Sequence, residues 1–144
     1  MRLVIALKQQ FNRNILAIIS LIIAISALGY NSWRNEQSEE NRNYRAAGFE
    51  IMRESAHLQR LVDVATYTNL GNSSDFIEGW VHVNLILSLS ELMPEEVRAA
   101  AVNLKQVWKD NWSSLENDEQ ANETISDANK KLMVKVRLLL VSLR

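Results

Sequence analysis

Glu54-Ser55-Ala56-His57 sets a carboxylate three residues before an imidazole, and Glu78 with His82 repeats the pair at a spacing of four. On a helix, both spacings put the two groups on one face. Glu-x-x-His is the ligand spacing of carboxylate-bridged metal bundles, so the first chemistry to consider is a metal held by Glu54, His57, Glu78 and His82. Such a centre needs further inward-facing glutamates on the other helices, and the pattern does not supply them. If the two helices pair about the turn near Gly71, the histidines are offset by roughly 6 Å along the axis. The plainer expectation is exposed polar side chains, with no metal and no cofactor.

Trp80, Trp108 and Trp112 form a second constellation. Trp108 and Trp112 are one turn apart, and Trp80 falls on the preceding helix. Three indoles could line a pocket for an aromatic or cationic ligand. The competing role is to anchor a core. A third group is basic: Lys130, Lys131, Lys135, Arg137 and Arg144 at the end of the chain. It suits contact with anionic lipid or an acidic partner, and equally a solvated face matched to the helix dipole. No Ser/His/Asp grouping, phosphate-cradling glycine loop or His-Glu-x-x-His helix is present. With two histidines and no cysteine, no enzyme is expected. A net charge of −1 offers no global field for nucleic acid.

The elements that must position these groups are helices. The 144 residues contain one proline and four glycines, which argues for an all-α chain. Residues 1–14 read as a basic flank (Arg2, Lys8, Arg13) without an acid. Ile15 to Tyr30 carries no charge, and Tyr30 and Trp33 suit a headgroup boundary. As a helix, residues 15–33 span roughly 28 Å, about the hydrocarbon thickness of a bilayer. The segment is expected to be a single membrane anchor with its N-terminus in the cytoplasm and residues 34–144 outside. The alternative is a cleaved signal peptide ending near Ala27-Leu28-Gly29, which would release a secreted helical protein. Helical periodicity running unbroken through Gly29 favours the anchor.

Beyond the anchor the spacing predicts helices over about 34–68, 76–92, 94–115 and 119–143. In the first, a three-four seam passes through Gln37, Glu40, Tyr44 and Ala47, polar at first and apolar further on. In the second, after a cap at Asp75, Ile77, Trp80, Val81, Leu85 and Leu92 are expected to face inward, with Val83, Ile86 and Leu89 broadening the stripe, so that the helix is either central or covered on two sides. Val97, Ala101, Leu104, Trp108 and Leu115 make the third apolar face. Ala121, Ile125, Ala128, Leu132, Val136, Leu139 and Leu143 make the fourth. Short connections imply an antiparallel four-helix-type bundle following a transmembrane helix. The first helix is longer than the fourth, so part of it is expected to stand as a stalk or to meet another chain. The seam Gln37, Glu40, Tyr44 and Ala47 would then receive another membrane protein or a second copy.

Tyr30 to Ile51 (YNSWRNEQSEENRNYRAAGFEI), with Gly79-Trp80, resembles a group of small bacterial inner-membrane proteins with one N-terminal span and a helical extracytoplasmic part. The resemblance implies a bacterial source and an inner-membrane location, and nothing about mechanism. The outer part also resembles the four-helix sensor domains of chemoreceptors and sensor kinases. Those domains are closed by a second span, for which LLLVSLR is too short. The preferred expectation is a non-enzymatic accessory or scaffolding subunit with an extracytoplasmic interaction module. The alternative is a ligand-sensing bundle.

Overall fold

The computed structural model describes residues 2–68 and 73–143, with side chains over 14–68 and 77–143. Among the described residues four α-helices follow one another: α1 (Arg2–Tyr67), α2 (Ser73–Ser90), α3 (Glu95–Asn111) and α4 (Glu119–Ser142), with a 3₁₀ turn at Trp112–Ser114. The chain divides into two units, Met1–Glu40 and Asn41–Arg144.

In the first unit, helix α1 carries a long apolar segment near its N-terminus. From Asn14 to Glu40 every described residue is exposed except the half-buried Ile18. Leu16, Leu21, Ile22, Ile23, Ile25 and Leu28 are all solvent-facing. Tyr30 and Trp33 pack ring against ring, centroids 6.0 Å apart. The basic side chains of the preceding flank lie outside the described residues.

The second unit is an antiparallel four-helix bundle. Its α1–α4 contacts run in opposite directions along the two helices. Arg45 donates to the Leu143 carbonyl at 2.8 Å, Asn129 to the Ser55 carbonyl at 2.8 Å and Tyr67 to Glu119 at 3.1 Å. Helix α2 packs on α3, and α3 on α4. The core takes Ala47, Ile51, Leu58, Val62 and Ala65 from α1, with Val97, Ala101, Leu104 and Trp108 from α3. Ala121, Ile125, Ala128, Leu132 and Val136 of α4 close it, and Leu115 is buried beyond the end of α3. Leu139 and Leu143 are only half-buried.

Helix α2 departs from expectation. Its buried positions are Gly79, Val83, Ile86 and Ser90; Ile77, Val81 and Leu85 face solvent, as does Leu92 just beyond its end. Trp80 is half-buried. The reason is Gly79. A Cβ there would lie 2.3 Å from Cζ2 and 2.4 Å from Cη2 of Trp108. The bare backbone of α2 is what lets it lie against the buried indole. That contact rotates the helix, carrying much of its apolar surface outward.

The ends follow local chemistry. Pro94 is the N-cap of α3, with Glu95 and Glu96 in the first turn where the dipole favours acid. Asp118 caps α4 by accepting the Gln120 N–H at 3.0 Å. Helix α2 includes Ser73 and so starts before the expected cap; the side chain of Asp75 and the loop at 69–72 lie outside the described residues. Asp118→Ala is expected to lower stability by about 1 kcal/mol, and Asp118→Asn by much less. Urea unfolding of the full chain in detergent, followed by tryptophan fluorescence, reads the difference.

Candidate functional site

The four groups singled out by their spacing come together. Helices α1 and α2 run antiparallel, bringing Glu54 and His57 of α1 to the level of Glu78 and His82 of α2. His82 Nδ1 lies 2.7 Å from Glu54 Oε2, and its Nε2 lies 3.6 Å from Glu78 Oε1. The rings of His57 and His82 stack, centroids 5.6 Å apart and planes 10° from parallel. Glu54 is not an exposed polar residue: it retains only 6% of its surface. Beside the pair lies a cleft of about 140 Å³ lined by His57, Arg60, Leu61, Val64, Glu78 and His82.

Electrostatics fix the proton. Burial pushes the Glu54 carboxyl up, but the hydrogen bond and charge of His82, with Arg53 beside it, hold it below its ordinary value of 4.5. An ionised carboxylate only accepts, so His82 Nδ1 carries the hydrogen and donates. That orientation leaves Nε2 directed toward Glu78. His82 is therefore held from one side by a buried anion and presents its second nitrogen at the cleft. The arrangement can pass a proton at Nε2. It can also receive a small polar group against His57 and Arg60. Among the described residues no three His, Asp or Glu side chains are placed to hold a metal. Nearly parallel imidazole planes keep their in-plane lone pairs from converging on one ion.

The tryptophans divide. Trp108 is fully buried in the core and meets Trp80 edge to face at 6.3 Å. Its indole occupies the space that a ligand pocket would need, and its Nε1 has no hydrogen-bond partner. Trp112 packs half-buried against the core. Of the seam, Ala47 is buried in the bundle's own core and Tyr44 packs against that core, while Gln37 and Glu40 are exposed. Lys130, Lys131, Lys135 and Arg137 are exposed on α4. Arg144 lies outside the described residues.

One feature escaped the sequence reading: a polar ladder inside the α1–α4 interface. Gln59 donates to Ser126 at 2.6 Å and to Asp63 at 3.0 Å. Ser126 donates to Asn122 at 3.0 Å, and Asn122 reaches Thr66 at 3.2 Å. The signal was available in Asn122, Ser126 and Asn129, spaced four and three along an otherwise apolar stripe.

No protein-family model matches the sequence, and neither a curated protein nor a solved structure is significantly similar to it.

Proposed function

We propose that the chain is a single-span membrane protein of the bacterial inner membrane, its N-terminus cytoplasmic and its bundle a non-catalytic, extracytoplasmic interaction module. The supporting observation is the exposed aliphatic surface of residues 15–33, which water would not tolerate at this size and which a self-satisfied helix can present to lipid. The apolar surface on the outside of the bundle, which suits a partner, agrees with it.

The test is fractionation of cells expressing the full chain, with mass measurement of the product. The expected result is an uncleaved chain that stays in the membrane through an alkaline wash. A soluble chain starting near Tyr30 would overturn the anchor. Ile22→Arg places a charge at the centre of the span, at a cost of about 2.5–3.5 kcal/mol in insertion, and is expected to shift much of the chain out of the membrane. The cleft beside His57, Arg60 and His82 supports a second reading, a sensor of a small polar ligand. A ligand that binds only the folded chain raises its unfolding temperature, and that shift is lost in Arg60→Ala.

A further inference from the structure

Two outward faces of the bundle are apolar along the middle and charged at the edges, with opposite sign. On α2 and just beyond its end, Ile77, Val81, Leu85 and Leu92 are exposed. At 100° per residue Ile77, Val81 and Leu85 fall within about 80° of arc, opposite the buried Gly79, Val83, Ile86 and Ser90, and Leu92 lies in the turn that follows. Glu78 borders this stripe, Glu91 lies in the turn at its end, and α2 contains no lysine or arginine; Arg60 of α1 lines the cleft with Glu78, and Arg98 of α3 lies near Glu91. On α4, Val134, Leu138 and Val141 are exposed in a second stripe, opposite the buried Ile125, Leu132 and Val136. Lys130 and Arg137 flank it on one side, Lys131 and Lys135 on the other. These four bases form no ion pair among the described residues. A hollow of about 330 Å³ opens between them, framed by Asp127, Lys130, Lys131, Val134 and Lys135.

We infer that the acid-edged α2 face of one copy docks on the base-edged α4 face of another. The inference rests on reading the bundle as an interaction module and names its partner, a second copy of this chain. Charge decides between pairings. Two α2 faces would oppose acid to acid, and two α4 faces base to base, whereas α2 on α4 brings the acids of one copy to the bases of the next. Leu85, in the middle of its stripe, is the side chain to enter the hollow between the lysines. With the aliphatic stems of those lysines, the two faces offer on the order of 1,000 Å² for burial, the scale of a small specific interface.

Topology sets the form of the assembly. Helix α2 neighbours α1 and α3, and α4 neighbours α3 and α1, so the two faces occupy opposite corners of the bundle and point apart. One copy cannot join its own faces. The contact is heterologous, and repetition gives a ring or an open row rather than a closed pair. Confinement to a membrane raises the local concentration, so a modest contact suffices.

The chain has no cysteine, which makes crosslinking clean. The full chain, in its membrane, would carry Leu85→Cys, Leu138→Cys or both, and be treated with a short bis-maleimide. The expected result is a ladder of dimers, trimers and higher species from the double variant, and monomer from each single one. Reversing the bases on both edges, with Lys130→Glu, Lys131→Glu, Lys135→Glu and Arg137→Glu together, should remove the ladder, and adding Glu78→Lys with Glu91→Lys to that chain should restore it. Dimers from either single variant would mean symmetric pairing and overturn the proposal. So would a ladder indifferent to charge reversal. A double variant that stays monomeric also overturns it, because the lysines then serve lipid or another protein. Membrane retention, read on the same samples, shows separately whether the anchor reading stands.

Discussion

Gly79→Ala is expected to destabilise the bundle by about 1–2 kcal/mol net, although alanine is the better helix former. The propensity gain of roughly 1 kcal/mol acts in the opposite direction. It is outweighed because the new methyl would sit 2.3 and 2.4 Å from two carbons of the Trp108 ring. A rigid indole with no exposed surface cannot turn aside, so either α2 lifts or the ring leaves its rotamer. Overpacking of this kind costs about 1–3 kcal/mol and sometimes more. For a bundle of about a hundred residues the loss corresponds to a fall of roughly 5–15 °C in Tm. The other glycines give a graded control. A Cβ at Gly48 would meet the flexible ends of Leu140 and Met93 at 2.9 and 3.2 Å, and one at Gly29 would meet nothing within 4 Å. The expected order of damage is Gly79, then Gly48, then Gly29, where alanine is neutral or better. Trp108→Phe removes the colliding part of the ring and also an indole N–H that has no partner. Combined with Gly79→Ala it should recover more than 1 kcal/mol relative to the sum of the single changes. Additive losses would mean that the two residues do not meet.

The same glycine shows what the sequence could and could not reveal. Helices α3 and α4 were legible because the apolar residues recurring at helical spacing along their whole length lie on one face, the second stripe of α4 being confined to Val134, Leu138 and Val141 near its end. Val97, Ala101, Leu104 and Trp108 are buried, as are Ala121, Ile125, Ala128, Leu132 and Val136. Helix α2 is apolar nearly all round, so periodicity alone does not fix its rotation. Counting hydrophobic residues selected the face with Ile77, Val81 and Leu85, and the structure buries the face with the smallest residue. The close approach that Gly79 permits outranked hydrophobicity, and no one-helix pattern carries that information.

The site was half legible. Helical spacing identified Glu54, His57, Glu78 and His82 as groups that share faces. Whether two faces on different helices coincide depends on axial register, and helix ends are read from sequence only to within a residue or two. An expected offset of roughly 6 Å becomes a stacked pair of rings in the structure. The α1–α4 ladder was missed for a different reason. Gln59, Asn122 and Ser126 look like surface residues one at a time, and only the apposition of two helices turns them into mutual partners.

His82→Ala, the second large effect, is expected to cost about 2–3 kcal/mol at neutral pH. It leaves the Glu54 carboxylate, 6% exposed, with Arg53 Nε at 3.5 Å as its remaining cation. Leaving a buried, charged acceptor without its donor costs about 1–3 kcal/mol or more; Arg53 and the neighbouring cleft keep the loss in that range. Glu54→Gln keeps the shape and one acceptor for His82 while removing the charge, so its loss should be smaller, about 1 kcal/mol. The pH dependence separates charge from shape. Glu54 is held below 4.5 in the folded chain, so the unfolded chain takes up its proton first as pH falls. The stabilisation is therefore complete above the ordinary carboxylate range and is lost as pH drops through the folded value. Urea unfolding from about pH 6 to about pH 3 should show wild type and Glu54→Gln converging at the acid end. A constant gap across that range would mean that the carboxylate's charge contributes nothing. Replacing both partners, Glu54→Leu with His82→Leu, removes the desolvation cost along with the attraction, and is expected to restore near wild-type stability. The fold can then do without the pair, and what the pair uniquely provides is an oriented imidazole: His82, held at Nδ1 by a buried anion, with Nε2 offered to the cleft beside His57 and Arg60.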